Sequence, residues 1–209
     1  MAAVGEGERA TRVRRRRADR IRAPGRGRRA REVAQGVGPT RQQAPPRLDA
    51  LKAARLRTFY AVRHAKAGSR SEWTGDDRKR PLNKKGLEQA EKLVSLLARY
   101  PIAAIYSSGY LRCVQTVRPL ARSRKLEVKV SPSLEEGHGL EGLTEFLGDR
   151  SLDDVVLSTH GDIIDELVED LVAREVIEPG EGGIDKGATW LLEADEHGMA
   201  VRARYIPAP

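Results

Sequence analysis

Thr58-Phe59-Tyr60-Ala61-Val62-Arg63-His64 is the stretch on which the fold turns. Its first five residues run apolar and β-branched without alternation, as in a strand buried on both faces. The run stops at an arginine and a histidine. A second stretch of the same texture, Val155-Val156-Leu157-Ser158, passes straight into Thr159-His160-Gly161. Between and around these two, strand and helix signals alternate. Leu87, Ala90, Val94 and Leu97 are spaced for one helical face, and Pro101 closes that segment. Ile102–Tyr106 reads as a short strand, and Leu111–Arg122 as a helix that Pro119 shortens or bends. Leu126–Val130 is a third strand and Leu140–Leu147 a helix. Ile163, Ile164, Leu167, Val168 and Leu171 mark another amphipathic helix. Thr189–Glu193 and Ala200–Ile206 read as a hairpin or two edge strands. Such alternation implies an α/β fold with a mostly parallel sheet covered on both faces. Ligands of such sheets collect beyond the carboxyl ends of the strands, where both histidines fall.

Charge divides the 209 residues into two parts. Residues 1–50 hold 14 arginines and 5 acidic residues, whereas 51–209 hold 24 basic and 25 acidic ones. The formal charge of +8 therefore belongs to the first segment. That segment is rich in Arg, Gly and Pro and poor in apolar side chains, too little to offset the entropy of ordering it. It is expected to be a disordered tail over 1–50, with a short amphipathic turn around Leu48–Leu56 leading into a domain over 55–209. A single cysteine, Cys113, excludes an internal disulfide and a Cys-rich zinc site and suits a reducing compartment. It is expected to be a small core residue. No apolar run approaches the ~18–20 residues of a membrane span, and no signal-peptide pattern opens the chain. The expectation is a cytoplasmic protein.

Four local sequences carry chemistry-bearing residues to strand ends: Val62-Arg63-His64-Ala65-Lys66, Ser107-Ser108 through Arg112-Cys113-Val114-Gln115-Thr116, Leu134-Glu135-Glu136-Gly137, and Ser158-Thr159-His160-Gly161. Each alone has an ordinary reading: a surface pair, a solvated helix arginine, a loop acid, a helix cap. Two histidines, two arginines and a carboxylate at one sheet edge seldom arise from packing alone.

In that order these segments resemble the histidine phosphatase superfamily, also called phosphoglycerate-mutase-like. The likeness rests on Arg63-His64, on Ser107 or Ser108 followed by Arg112-x-x-Gln115-Thr116, on Leu134-x-Glu136, and on Thr159-His160-Gly161. Within the superfamily the likeness is to the short SixA-like branch, and closer still to the phosphatase module at the C-terminus of some MutT-type Nudix hydrolases. Asp76-Asp77-Arg78-Lys79-Arg80-Pro81-Leu82-x-x-x-Gly86 and Lys186-Gly187-Ala188-Thr189-Trp190 add to the second likeness. Ala65 stands where the superfamily usually has glycine, tolerable if its φ is negative. No Nudix box precedes the domain. The resemblance spans about 55–206 and implies a three-layer α/β/α sandwich.

It also implies a phosphatase without metal or cofactor. His64 would attack phosphorus through a neutral imidazole nitrogen and form a phosphohistidine. Its other nitrogen would be held by a backbone carbonyl. Arg63, Arg112 and His160 would supply donors to the phosphoryl oxygens. Glu136, or Glu135 if the register differs by one, would give the leaving group its proton and later activate water. Lys66, Ser69, Arg70, Lys79, Ser108 and Thr159 are candidate substrate contacts, and Trp73 either stacks on a base or covers its loop. The expected partner is a phosphorylated small molecule or nucleotide. The alternative is a phosphohistidine protein, which suits a site with no helical lid in the ~25 residues between Glu136 and His160. A third reading, nucleic-acid binding through the arginine tail, lacks interleaved aromatics.

Overall fold

The computed structural model describes residues 56–209. The tail expected over 1–50, and most of the turn around Leu48–Leu56, lie outside the described residues. Six strands, β1 (Arg57–Arg63), β2 (Ala104–Ser107), β3 (Val128–Val130), β4 (Val155–Thr159), β5 (Thr189–Ala194) and β6 (Ala200–Ile206), form one sheet in the order β3-β2-β4-β1-β5-β6. The first four in that order are mutually parallel; β5 runs antiparallel to both of its neighbours. Four helices, α1 (Lys84–Leu96), α2 (Leu111–Arg124), α3 (Gly139–Gly148) and α4 (Gly161–Ala173), cover the faces.

The period of two along β1 sorts its side chains into two cores. Phe59 and Ala61 join Leu143 and Leu147 of α3 and Ile163, Leu167 and Leu171 of α4. Tyr60 and Val62 join Leu93 of α1 and Val117, Leu120 and Ala121 of α2. The three-layer α/β/α sandwich follows directly. α3 belongs to the core, so the segment between Glu136 and His160 is a packing element and not a cover over the site.

Some local expectations change. Leu87 is 48% exposed, while Gly86, Gln89, Ala90 and Leu93 form the buried face of α1. Gly86 belongs there because a Cβ on it would fall 2.0 Å from the Lys66 carbonyl oxygen. α2 continues through Pro119 to Arg124. β5 and β6 do form a hairpin, but β5 is internal, paired on its other side with β1.

Candidate active site

Register brings the two histidines together. Arg63 of β1 lies opposite Thr159 of β4, and the His64 N–H donates to the Thr159 carbonyl at 2.9 Å. The next residue on each strand is therefore a histidine, and the two rings meet edge to face with centroids 5.5 Å apart. On the other side of β4, the Ser108 N–H donates to the Ser158 carbonyl, so the loop leading into α2 arrives at the same edge.

The Arg-x-x-Gln-Thr spacing on α2 has a structural account. Thr116 Oγ1 accepts from the Ala65 N–H at 2.9 Å, and Gln115 Oε1 accepts from the Leu82 N–H at 2.8 Å. Those two residues clamp the loop between β1 and α1, while Arg112, one turn earlier, is only 1% exposed and lines a cavity of ≈ 640 Å³. Arg63, His64, Glu136 and His160 line the same cavity. Ala65 is not among the residues with positive φ, so the backbone needs no glycine there.

His64 Nδ1 lies 2.8 Å from the Ala65 carbonyl oxygen. A carbonyl only accepts, so in the neutral ring Nδ1 carries the proton and Nε2 is the free nitrogen. Burial, reinforced by the charge of Arg112, lowers the His64 pKa to about 3, against the pull of the Ala65 carbonyl. Burial and then Arg112 lower His160 likewise to about 3. Both rings are neutral near pH 7.

His160 occupies the cap position of α4 but makes no side-chain cap bond. Its Nε2 lies 2.7 Å from Ser108 Oγ, and its Nδ1 3.3 Å from Arg112 Nη2. Arginine only donates, so Nδ1 accepts here and the ring proton sits on Nε2. Cys113 Sγ packs 3.4 Å from the same Nε2, and burial pushes its thiol up to about 12. It is a core residue beneath the site.

The two adjacent glutamates separate. Glu135 is paired with Arg78 and does not line the cavity. Glu136 does, with Oε2 2.9 Å from Arg112 Nη2 and 4.0 Å from His160 Nδ1, and with Arg70 at 3.3 Å. Arg112 Nη1 donates to both the carbonyl and the carboxylate of Asp77. Asp77 also holds Arg80 at 2.7 Å, and its pKa is lowered chiefly by that bond. Arg63 donates to the Ile184 carbonyl. The Nε–H groups of Arg63 and Arg112 are buried without a hydrogen-bond partner among the described residues.

Lys66, Ser69 and Arg70 line the cavity. Ser108 and Thr159, also expected as substrate contacts, are not among the residues lining it. Both are fully buried; Ser108 sits behind His160, and Thr159 donates its hydroxyl to the Leu134 carbonyl. Lys79 is absent from the lining too. Trp73 donates to the Asp76 carbonyl at 3.0 Å and packs on its own loop. Asp77, Arg80, Asp162, Asp165 and Lys186 were not singled out as site residues from sequence. Asp77, Arg80 and Lys186 stand within the two stretches that carried the closer family likeness, and that was the signal available. Among the described residues, no group of three or more His, Cys, Asp or Glu is placed to hold a metal ion, and no helix is long and apolar enough to cross a membrane.

Residues 59–146 match the histidine phosphatase superfamily, branch 1. An 8-oxo-(d)GTP phosphatase of Mycolicibacterium smegmatis is 36% identical over 160 residues, covering 73% of this chain and 49% of that protein. The chain thus spans about half the length of the curated relative it matches. The structure of SixA from Agrobacterium tumefaciens is similar at 25% identity and a TM-score of 0.58, over 73% of this chain and 98% of that one. A protein histidine phosphatase SixA complexed with tungstate shares the fold at 20% identity and a TM-score of 0.56, over 72% of this chain and 94% of that one.

Proposed function

Because the chain belongs to the histidine phosphatase superfamily, we propose that it hydrolyses phosphomonoesters or terminal phosphates of nucleotides through a phosphohistidine on His64, without a metal. One observation carries the reading: a buried, neutral His64 with Nδ1 tied to a backbone carbonyl lines a cavity with Arg63 and Arg112. Both arginines keep a buried Nε–H unpartnered. Buried donors of this kind are costly unless an anion takes them.

Phosphoryl transfer asks chiefly for positioning and positive charge. His64 Nε2 attacks phosphorus as the bond to the leaving oxygen breaks, and Glu136 supplies the proton to that oxygen. The arginine forks neutralise the equatorial oxygens. His160 accepts from Arg112 in the described state, so donation from Nδ1 needs its proton moved off Nε2. The Ser108 hydroxyl, able to donate to Nε2, makes that tautomer available. Water activated by Glu136 then breaks the N–P bond and returns the electron pair to Nε2.

Incubation with a radiolabelled phosphomonoester tests the reading. Wild-type protein is expected to trap an acid-labile, base-stable label on quenching, and His64→Ala neither label nor turnover. Turnover in His64→Ala at the wild-type rate would overturn it. A phosphohistidine protein as substrate is the second reading, favoured by the core position of α3, which leaves the exposed Lys66, Ser69 and Arg70 at the rim.

A further inference from the structure

Six cationic side chains line the cavity, Arg63, Lys66, Arg70, Arg80, Arg112 and Lys186, against three carboxylates, Glu136, Asp162 and Asp165. A single transferred phosphoryl group, a dianion at most, is already served by Arg63, Arg112 and His160. Lys66 and Lys186 have no ion-pair partner among the described residues, whereas Arg70, Arg80 and Arg112 all contact Asp77.

These two lysines come from distant segments, yet one side chain holds both. Gln89 of α1 is 8% exposed; its Oε1 accepts from the Lys66 N–H at 3.0 Å, and its Nε2 donates to the Lys186 carbonyl at 2.9 Å. Gly187, at φ +90°, turns the chain directly after Lys186, and a Cβ there would fall 3.0 Å from Gln89 Nε2. The same turn is stitched to the catalytic arginine: the Gly187 N–H donates to the Arg63 carbonyl, and the Ile184 carbonyl takes the Arg63 guanidinium. Lys66 lies two residues beyond His64. A buried amide thus fixes the backbones of two unpaired lysines beside the phosphoryl-transfer centre.

We infer that Lys66 and Lys186, positioned by Gln89, form a second anion subsite that binds a phosphate adjoining the transferred one, so that phosphoanhydrides are preferred over simple esters. This rests on the phosphatase reading above. Repulsion among the cations supports it: burial and then Arg63, Arg80, Lys66 and Arg112 lower the pKa of Lys186, a strain an anion relieves. The chemistry balances without a further reactant. His64 Nε2 bonds to the terminal phosphorus, the bridging P–O bond breaks, and its electron pair stays on the departing phosphate. The lysine ammoniums stabilise that charge. Water then releases orthophosphate from Nε2.

The test compares kcat/KM for pyrophosphate and ADP with that for p-nitrophenyl phosphate, using the full chain. Lys186→Ala and the double variant Lys66→Ala/Lys186→Ala are expected to lower the ratio of either anhydride to the aryl ester about 10–100-fold, the scale of charge-assisted bonds lost. Gln89→Ala is expected to lower the same ratio, chiefly through KM for the anhydrides, with the thermal transition of each variant recorded as a folding check. Ratios within threefold of wild type, with p-nitrophenyl phosphate turned over, would overturn the subsite and leave the phosphatase reading standing. Wild-type protein that turns over none of the three would overturn both.

Discussion

Glu136 and Arg112 are joined by a 2.9 Å ion pair between Oε2 and Nη2 inside the cavity. On the proposed mechanism the carboxylate thus occupies a donor that a phosphoryl oxygen would take over, which would free Glu136 to serve the leaving group. Glu136→Gln is expected to lower the rate on an alkyl phosphate by roughly 10²–10⁴, the usual worth of a general acid. With an aryl phosphate of low leaving-group pKa, phosphorylation should fall much less and the phosphoenzyme accumulate. Glu135→Gln, whose carboxylate serves Arg78, should show no such dependence. Equal losses on both substrates for Glu136→Gln would remove it from the acid's role.

The Arg63 guanidinium lies close over Gly161. A Cβ at that position would fall 2.4 Å from Arg63 Nη2 and 2.8 Å from its Cζ. Gly161 has negative φ and opens α4, so alanine suits its backbone. Gly161→Ala should therefore keep its thermal transition near wild type while losing about 10²–10³ in kcat/KM, the scale of one misplaced transition-state donor. Unchanged kinetics would show that Arg63 finds another productive position.

Both buried histidines titrate far below the usual value of 6.5, to about 3. Between these limits the unfolded chain binds protons that the folded one refuses. Stability is therefore full above about 6.5 and falls as pH drops through that window. Urea unfolding should show a loss on the order of 1–2 kcal/mol per histidine from pH 7 to pH 5, reduced in His160→Gln. Nitrogen chemical shifts should keep His64 in the neutral Nδ1–H form throughout.

Arg57 opens β1 at the opposite edge of the sheet and is 7% exposed. Its guanidinium donates to the carbonyls of Leu147, Asp149, Leu152 and Asp195, tying the end of α3 to the β5–β6 turn. Arg57→Met leaves those carbonyls without their donor. A cost of about 2–4 kcal/mol in urea unfolding is expected, with kcat/KM per folded molecule unchanged. A smaller cost would mean that other donors replace the guanidinium.

The helical face of α1 shows where local reading ends. Spacing alone assigned Leu87 inward; the structure places Gln89 inward instead, because two loop backbones need its amide. Thr159 and Ser108 show the same limit, since their motif neighbours reach the cavity while their own side chains serve the layers behind it.

The order of apolar strands and the residues at their ends were enough, from sequence alone, to fix the α/β class and to bring Arg63, His64, Arg112 and His160 to one edge. Strand burial and strand-end placement are local properties, written in period and composition. The tertiary structure decided what depends on contacts between distant segments. It separated Glu136 in the cavity from Glu135 on Arg78, set Asp77 on Arg112, inserted β5 between β1 and β6, and joined Lys66 to Lys186 through Gln89. Those choices follow from register and close packing across the chain, where a neighbour 97 positions away, as Gln89 is from Lys186, counts as much as the next residue.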